Sequence, residues 1–219
     1  MIELLRTVYV CDHCLNLGFG FTRPRSQAGF YKFPPTIGAV GEASLLFIGI
    51  NPRNLGNEAL HERIMTHPEA FEALSQNRVD QERYIKNEGE ESHYRPHMRI
   101  VRGVYGAVAQ FEDHAVVTEL YFCATPDSKS LGRMKSPCAN TYLNAVLDQV
   151  KPRLIICIGK LVWDYVRWKF AVEGDAPFEV SWSGRKVRVV RTTHPNDPNE
   201  AGREQLLRNA IAEAQALTR

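Results

Sequence analysis

The sequence predicts an α/β protein: a three-layer sandwich with a mainly parallel central sheet flanked by helices. Three observations predict it. Short unbroken apolar runs recur along the chain, each closed by Gly or another turn residue. Stretches with apolar residues at three- and four-residue spacing separate these runs. The resulting strand–helix–strand–helix order is that of parallel strands joined by crossover helices, whose strands lack a polar face because both faces are covered.

The elements follow in order. Ser44-Leu-Leu-Phe-Ile-Gly-Ile50, closed by Asn51-Pro52, reads as a buried strand. Met98, Val101, Tyr105 and Val108 share a helical face. Ala115-Val-Val-Thr-Glu-Leu-Tyr-Phe122 is the second strand, and Leu143, Val146, Leu147 and Val150 mark the next helix. Arg153-Leu-Ile-Ile-Cys-Ile158 is the third strand, ending at Gly159, with Val162, Val166 and Phe170 on the helix after it. Glu179–Trp182 and Arg185–Val190 form a hairpin across Ser183-Gly184, and its second arm is a core strand. Leu206, Ala210, Ile211 and Ala214 give the last helix its apolar face.

Composition bounds the rest. At 219 residues, with 44% hydrophobic and 24% charged residues, the chain fits one globular domain with a substantial core. No apolar run is long enough to span a bilayer, and MIELLRTVYVCDHC lacks a signal-peptide layout, so no membrane role and a cytoplasmic place are expected. A formal charge of +2 requires any nucleic-acid site to be a local patch. Five cysteines argue against a disulfide framework, leaving ligand, catalytic and core roles. Residues 1–41 read as a cysteine-containing N-terminal extension and residues 55–97 as a polar insertion over the site.

Chemistry gathers in the loops after the strands, where sheets of this kind place their sites. These loops hold Gly49-Ile-Asn-Pro-Arg53, Cys123-Ala-Thr-Pro126, Asp127–Lys135, Gly159-Lys160 and Thr192-Thr-His-Pro-Asn196. Each has a plain structural reading too. Gly-x-Asn-Pro makes a turn unaided, Thr-Thr-His-Pro serves as a helix entry, and Lys129, Arg133 and Lys135 suit a solvated loop. Their joint position at successive strand ends favours a shared crevice.

Leu46-Phe-Ile-Gly-Ile-Asn-Pro52, Leu154-Ile-Ile-Cys-Ile-Gly-Lys160 and Val190-Arg-Thr-Thr-His-Pro195 resemble, in order and spacing, the signature segments of the uracil-DNA glycosylase superfamily. The Gly-x-Asn-Pro form resembles its mismatch-specific and single-strand-selective branches. The resemblance implies that Asn51 positions the attacking water and His194 stabilises charge on the departing base, with Gly49 and Ile50 beside them in the substrate-binding set. Val117–Cys123, Pro137-Cys138 and Tyr142-Leu143 resemble instead the iron–sulfur branch. That likeness implies a [4Fe–4S] cluster on Cys11, Cys14, Cys123 and Cys138, with zinc or no metal as alternatives. Four thiolates suit either metal, and Cys157, inside an apolar strand, reads as core.

One departure stands out. Where the iron–sulfur glycosylases have Asn, this chain has Glu119. Asn offers the base a donor and an acceptor, whereas an ionised Glu only accepts. Either the site prefers a base with an exposed amino group, or Glu119 is structural. Tyr94 is the candidate to stack on the flipped base, with Phe71 second, and Lys129, Arg133 and Lys135 are candidates for phosphate contact. The polar run Asn196-Asp-Pro-Asn-Glu200 offers no apolar wedge for invading a duplex.

Other classes fit less well. A zinc deaminase needs His-x-Glu and Pro-Cys-x-x-Cys; His67-Pro-Glu69 supplies the first, but Thr141 replaces the last Cys of the second. His61-Glu62 lacks the following His of a zincin, and no phosphate-loop motif occurs. The expected function is excision of uracil or another damaged or deaminated base from DNA by a monomer. The rival is a non-catalytic member that binds nucleic acid or a nucleotide.

Overall fold

The computed structural model of the protein describes residues 7, 37–38, 44–50, 95–121, 137–194 and 197–218. A six-stranded sheet runs through them in the order β1-β3-β2-β4-β6-β5. The strands are β1 (Ile37–Gly38), β2 (Leu45–Gly49), β3 (Ala115–Glu119), β4 (Leu154–Ile158), β5 (Phe178–Trp182) and β6 (Arg185–Thr192). The central four, β3-β2-β4-β6, are mutually parallel, while β1 and β5 close the two edges antiparallel. The described helices are α1 (Arg95–Tyr105), α2 (Pro137–Val150), α3 (Lys160–Lys169) and α4 (Glu200–Thr218).

The layers follow from side-chain alternation along the parallel strands. Leu46, Ile48, Val116, Ile155 and Cys157 face one way and bury the apolar stripes of α2 and α3. Leu45, Phe47, Val117, Ile156 and Val190 face the other way, against α1 and α4. Every residue of β2 and β4 is buried, which is why both read as unbroken apolar runs. Cys157 is buried in β4, where desolvation pushes its thiol far above the ordinary range.

The helix ends have local causes. Asn199 Oδ1 accepts from the Gly202 N–H at 3.0 Å and Asp197 Oδ1 from the Asn199 N–H at 2.9 Å, starting α4. The polar run after His194 is thus used for capping. Pro137, at the first position of α2, suits a turn whose N–H has no partner in the helix. Arg99 of α1 forks onto Glu204 of α4 at 3.0 and 2.8 Å, and Gln215 donates to the Gly103 carbonyl at 2.8 Å.

Two approximate segment bounds are refined, and two expectations about helix faces need correction. Ile37 and Gly38, placed in the N-terminal extension, join the sheet through β3. Arg95–His97, assigned to the polar insertion, form the first turn of α1. Val108 does not belong to that helix's buried face. Gly106 turns the chain out at φ +102°, and Val108 is 87% exposed. The buried line of α4 runs through Leu207, Ala210 and Ala214, not Leu206.

Candidate active site

Parallel strands bring their carboxyl ends to one edge of the sheet, and the candidate site lies there. β2 ends at Gly49, which pairs in register with Glu119, the last residue of β3. The pairing continues past both strands. Leu120 N–H donates to the Gly49 carbonyl at 2.9 Å and Tyr121 N–H to the Ile50 carbonyl at 3.0 Å. The backbone is therefore anchored up to the residue before Asn51.

β6 reaches the same edge at Thr192, opposite Ile158 of β4, and leads directly into Thr193 and His194. Gly159, at φ +85°, turns the chain from β4 into α3 while its N–H donates to the Thr192 carbonyl at 2.8 Å. That left-handed turn favours Gly. It brings the Gly159 backbone beside the half-buried His194, so that a β-carbon there would lie 3.7 Å from His194 Cβ. The His194 carbonyl accepts from the Asp197 N–H at 2.9 Å, which fixes the backbone on the far side of the histidine. Lys160 turns to Asp164 on the next helical turn, at 2.9 and 2.8 Å.

Glu119 is the unusual member of this edge. Its Oε2 is buried without a hydrogen-bond partner among the described residues. Gly49 makes the space, because a β-carbon there would overlap the Glu119 carboxyl. Burial alone pushes the carboxyl from the ordinary 4.5 up to about 8. The glycine of Gly-x-Asn-Pro, read from sequence as the residue closing a strand, also houses this side chain.

One residue at the edge escaped the sequence reading. His97, in the first turn of α1, is buried with its ring 4.7 Å from Phe47. It lines a shallow depression with Phe47, Ile158, Thr192 and Thr193. The available signal was periodic: His97, Ile100, Val101 and Val104 follow helical spacing, so the apolar face of α1 could be extended back to His97.

Of the residues singled out from sequence, Gly49, Ile50, Glu119 and His194 lie at this edge, and Cys138 lies in the first turn of α2. Asn51, Tyr94, Phe71, Lys129, Arg133, Lys135, Cys11, Cys14 and Cys123 lie outside the described residues. Cys138 is buried in the cluster that also holds Tyr121 and Tyr142, and it is in no disulfide among the described residues. The described residues contain no group of three or more potential ligands. None of their helices is long and apolar enough to cross a membrane.

A parallel α/β sheet with polar side chains gathered at its carboxyl edge defines the class: a fold that binds its ligand in a crevice outside the strand ends. The family can be stated more closely. The model of the uracil DNA glycosylase superfamily matches residues 35–215, and the chain belongs to that superfamily. No curated protein matches the chain. Members of the superfamily are generally DNA glycosylases, which points to DNA as the substrate.

Proposed function

We propose that the protein hydrolyses the N-glycosidic bond of uracil, or of another damaged base, rotated out of DNA. The observation that carries the proposal is the arrangement of one sheet edge. The anchored Gly49–Ile50 backbone leads to Asn51, Glu119 stands against Gly49, and His194 follows β6 at the same edge. Superfamily membership supports the reaction class.

The chemistry follows from the bond. As the base leaves it takes up negative charge, while the sugar gains oxocarbenium character, so catalysis must stabilise both. His194 donates to the departing base as a neutral imidazole. Asn51 holds the water for attack on the sugar, by positioning more than by proton abstraction. Lys129, Arg133 and Lys135 contact phosphates, and Tyr94 stacks on the base. The test is base release from oligonucleotides carrying uracil and several other damaged bases, single- and double-stranded. Release of at least one base is expected. Binding without any release would favour the non-catalytic rival, for which Glu119 is the residue that argues.

Cys11, Cys14, Cys123 and Cys138 are proposed to hold a [4Fe–4S] cluster. The group would pin the N-terminal segment to the start of α2, and no step of the hydrolysis uses it. Anaerobically purified protein is expected to be brown with about four irons per chain, and Cys138→Ala to lose both. Colourless protein without iron would remove the cluster, and bound zinc would replace it.

A further inference from the structure

Glu119 presents a problem that the hydrolysis does not solve. A carboxylate buried without donors or a cation is costly, because water's solvation is lost and nothing replaces it. Among the described residues little replaces it. β1 and β2 bring no charged side chain. On the same face of the sheet, α1 brings the buried His97, while Arg99 is committed to Glu204 and Arg102 is exposed. On α4, Glu204 takes Arg99, Arg203 donates to the Asp197 carbonyl, Arg208 lies near Glu204 and Glu213 takes Arg188. On the opposite face, the titratable side chains packed near the end of β3 are Cys138 and Tyr142 of α2. Asp113 lies at the other end of β3, before the strand begins. Among the described residues that follow the other strand ends, His194 comes after β6, and Lys160, after β4, is committed to Asp164. None of the described residues forms an ion pair with Glu119.

We infer that Glu119 stands in the site as a neutral carboxylic acid, whose O–H and carbonyl oxygen together read a base edge bearing a carbonyl beside an N–H, as uracil does. The inference deepens the base-excision reading and rests on it. A neutral acid offers one donor and one acceptor, the same pair that an amide offers. The glutamate is then compatible with uracil, whereas its anion would face the carbonyl with a second acceptor. Gly49 is the structural counterpart, since any side chain there would drive the carboxyl out of its place. With the carboxyl raised to about 8, recognition would fail just above neutral pH.

The experiment compares wild type with Glu119→Gln, whose amide keeps the donor–acceptor pair and does not titrate. Single-turnover release of uracil is followed from about pH 6 to about pH 10. Wild type is expected to lose about tenfold in rate per pH unit above about 8, as the acid form is depleted, and Glu119→Gln is expected to lack that limb. The same limb in both proteins, or no limb in wild type, overturns the inference. A second arm measures binding of an oligonucleotide with a 2′-fluorinated deoxyuridine, whose bond resists hydrolysis. If wild type releases no base but binds this probe with the same acid-form dependence, the excision reading fails and the role of Glu119 stands. If binding is pH-independent in both proteins, the role of Glu119 fails whatever happens to release. Thermal unfolding of both proteins at each pH confirms that folded protein is compared.

Discussion

Replacing His194 or Asn51 by Ala is expected to slow base release by about 10²–10³-fold each, the usual loss when one transition-state donor or positioning group is deleted. For His194 the structure explains why the substitution should remove the side chain without moving the backbone. His194 is held by main-chain contacts on both sides: its carbonyl accepts from Asp197, and the Thr192 carbonyl accepts from Gly159. Asn51 follows Ile50, whose carbonyl is fixed by the Tyr121 N–H at 3.0 Å. The His194 side chain lies in neither of the two described core clusters, so His194→Ala should unfold within about 1 kcal/mol of wild type, as substitutions outside the core usually do. Single-turnover release with uracil in a single-stranded oligonucleotide is the measurement. Wild-type rates in both variants would show that the chemistry lies elsewhere. A loss in only one would separate stabilisation of the base from positioning of the water.

How much of this was legible in the sequence depends on how local each feature is. β2 and β4 announced themselves because both their faces are buried, so no polar residue interrupts them. β1 did not, since two residues at an edge carry no period to read. The α1 boundary was misjudged at both ends. His97 looks polar but packs against Phe47, and Val108 looks apolar but lies beyond the turn at Gly106. The candidate site divides the same way. Gly49 and His194 stand in short motifs at strand ends, where the sequence alone placed them. The contact between Gly49 and Glu119 has no such signal, because their register follows from the order of strands in the sheet. The sequence therefore posed the question of Glu119 as one of hydrogen-bond polarity. Burial changes it into one of protonation.

The stability of the fold should carry the same signature, whatever the substrate. In the unfolded chain Glu119 titrates at the ordinary carboxylate value of 4.5, whereas in the folded chain burial holds it at about 8. The folded state therefore binds the extra proton between these values, and stability falls as pH rises through that interval. The contribution is complete below about 4.5, is being lost between 4.5 and 8, and is gone above the folded value. Glu119→Gln has no proton to lose, so this part of the slope should vanish. The two proteins should match in stability near pH 4.5 and diverge up to about pH 8, the glutamine variant becoming more stable by on the order of 3 kcal/mol. That figure is set below the full shift because the residue as a whole is only partly buried and solvent can relax around its charged form. Denaturant unfolding at several pH values reads the difference directly. Other titrating groups bend both curves equally, so only the gap between them matters. A gap that stays constant from acid to alkaline pH would mean that the Glu119 carboxyl ionises in the folded protein as it does in the unfolded chain, and the neutral acid would then have no physical basis.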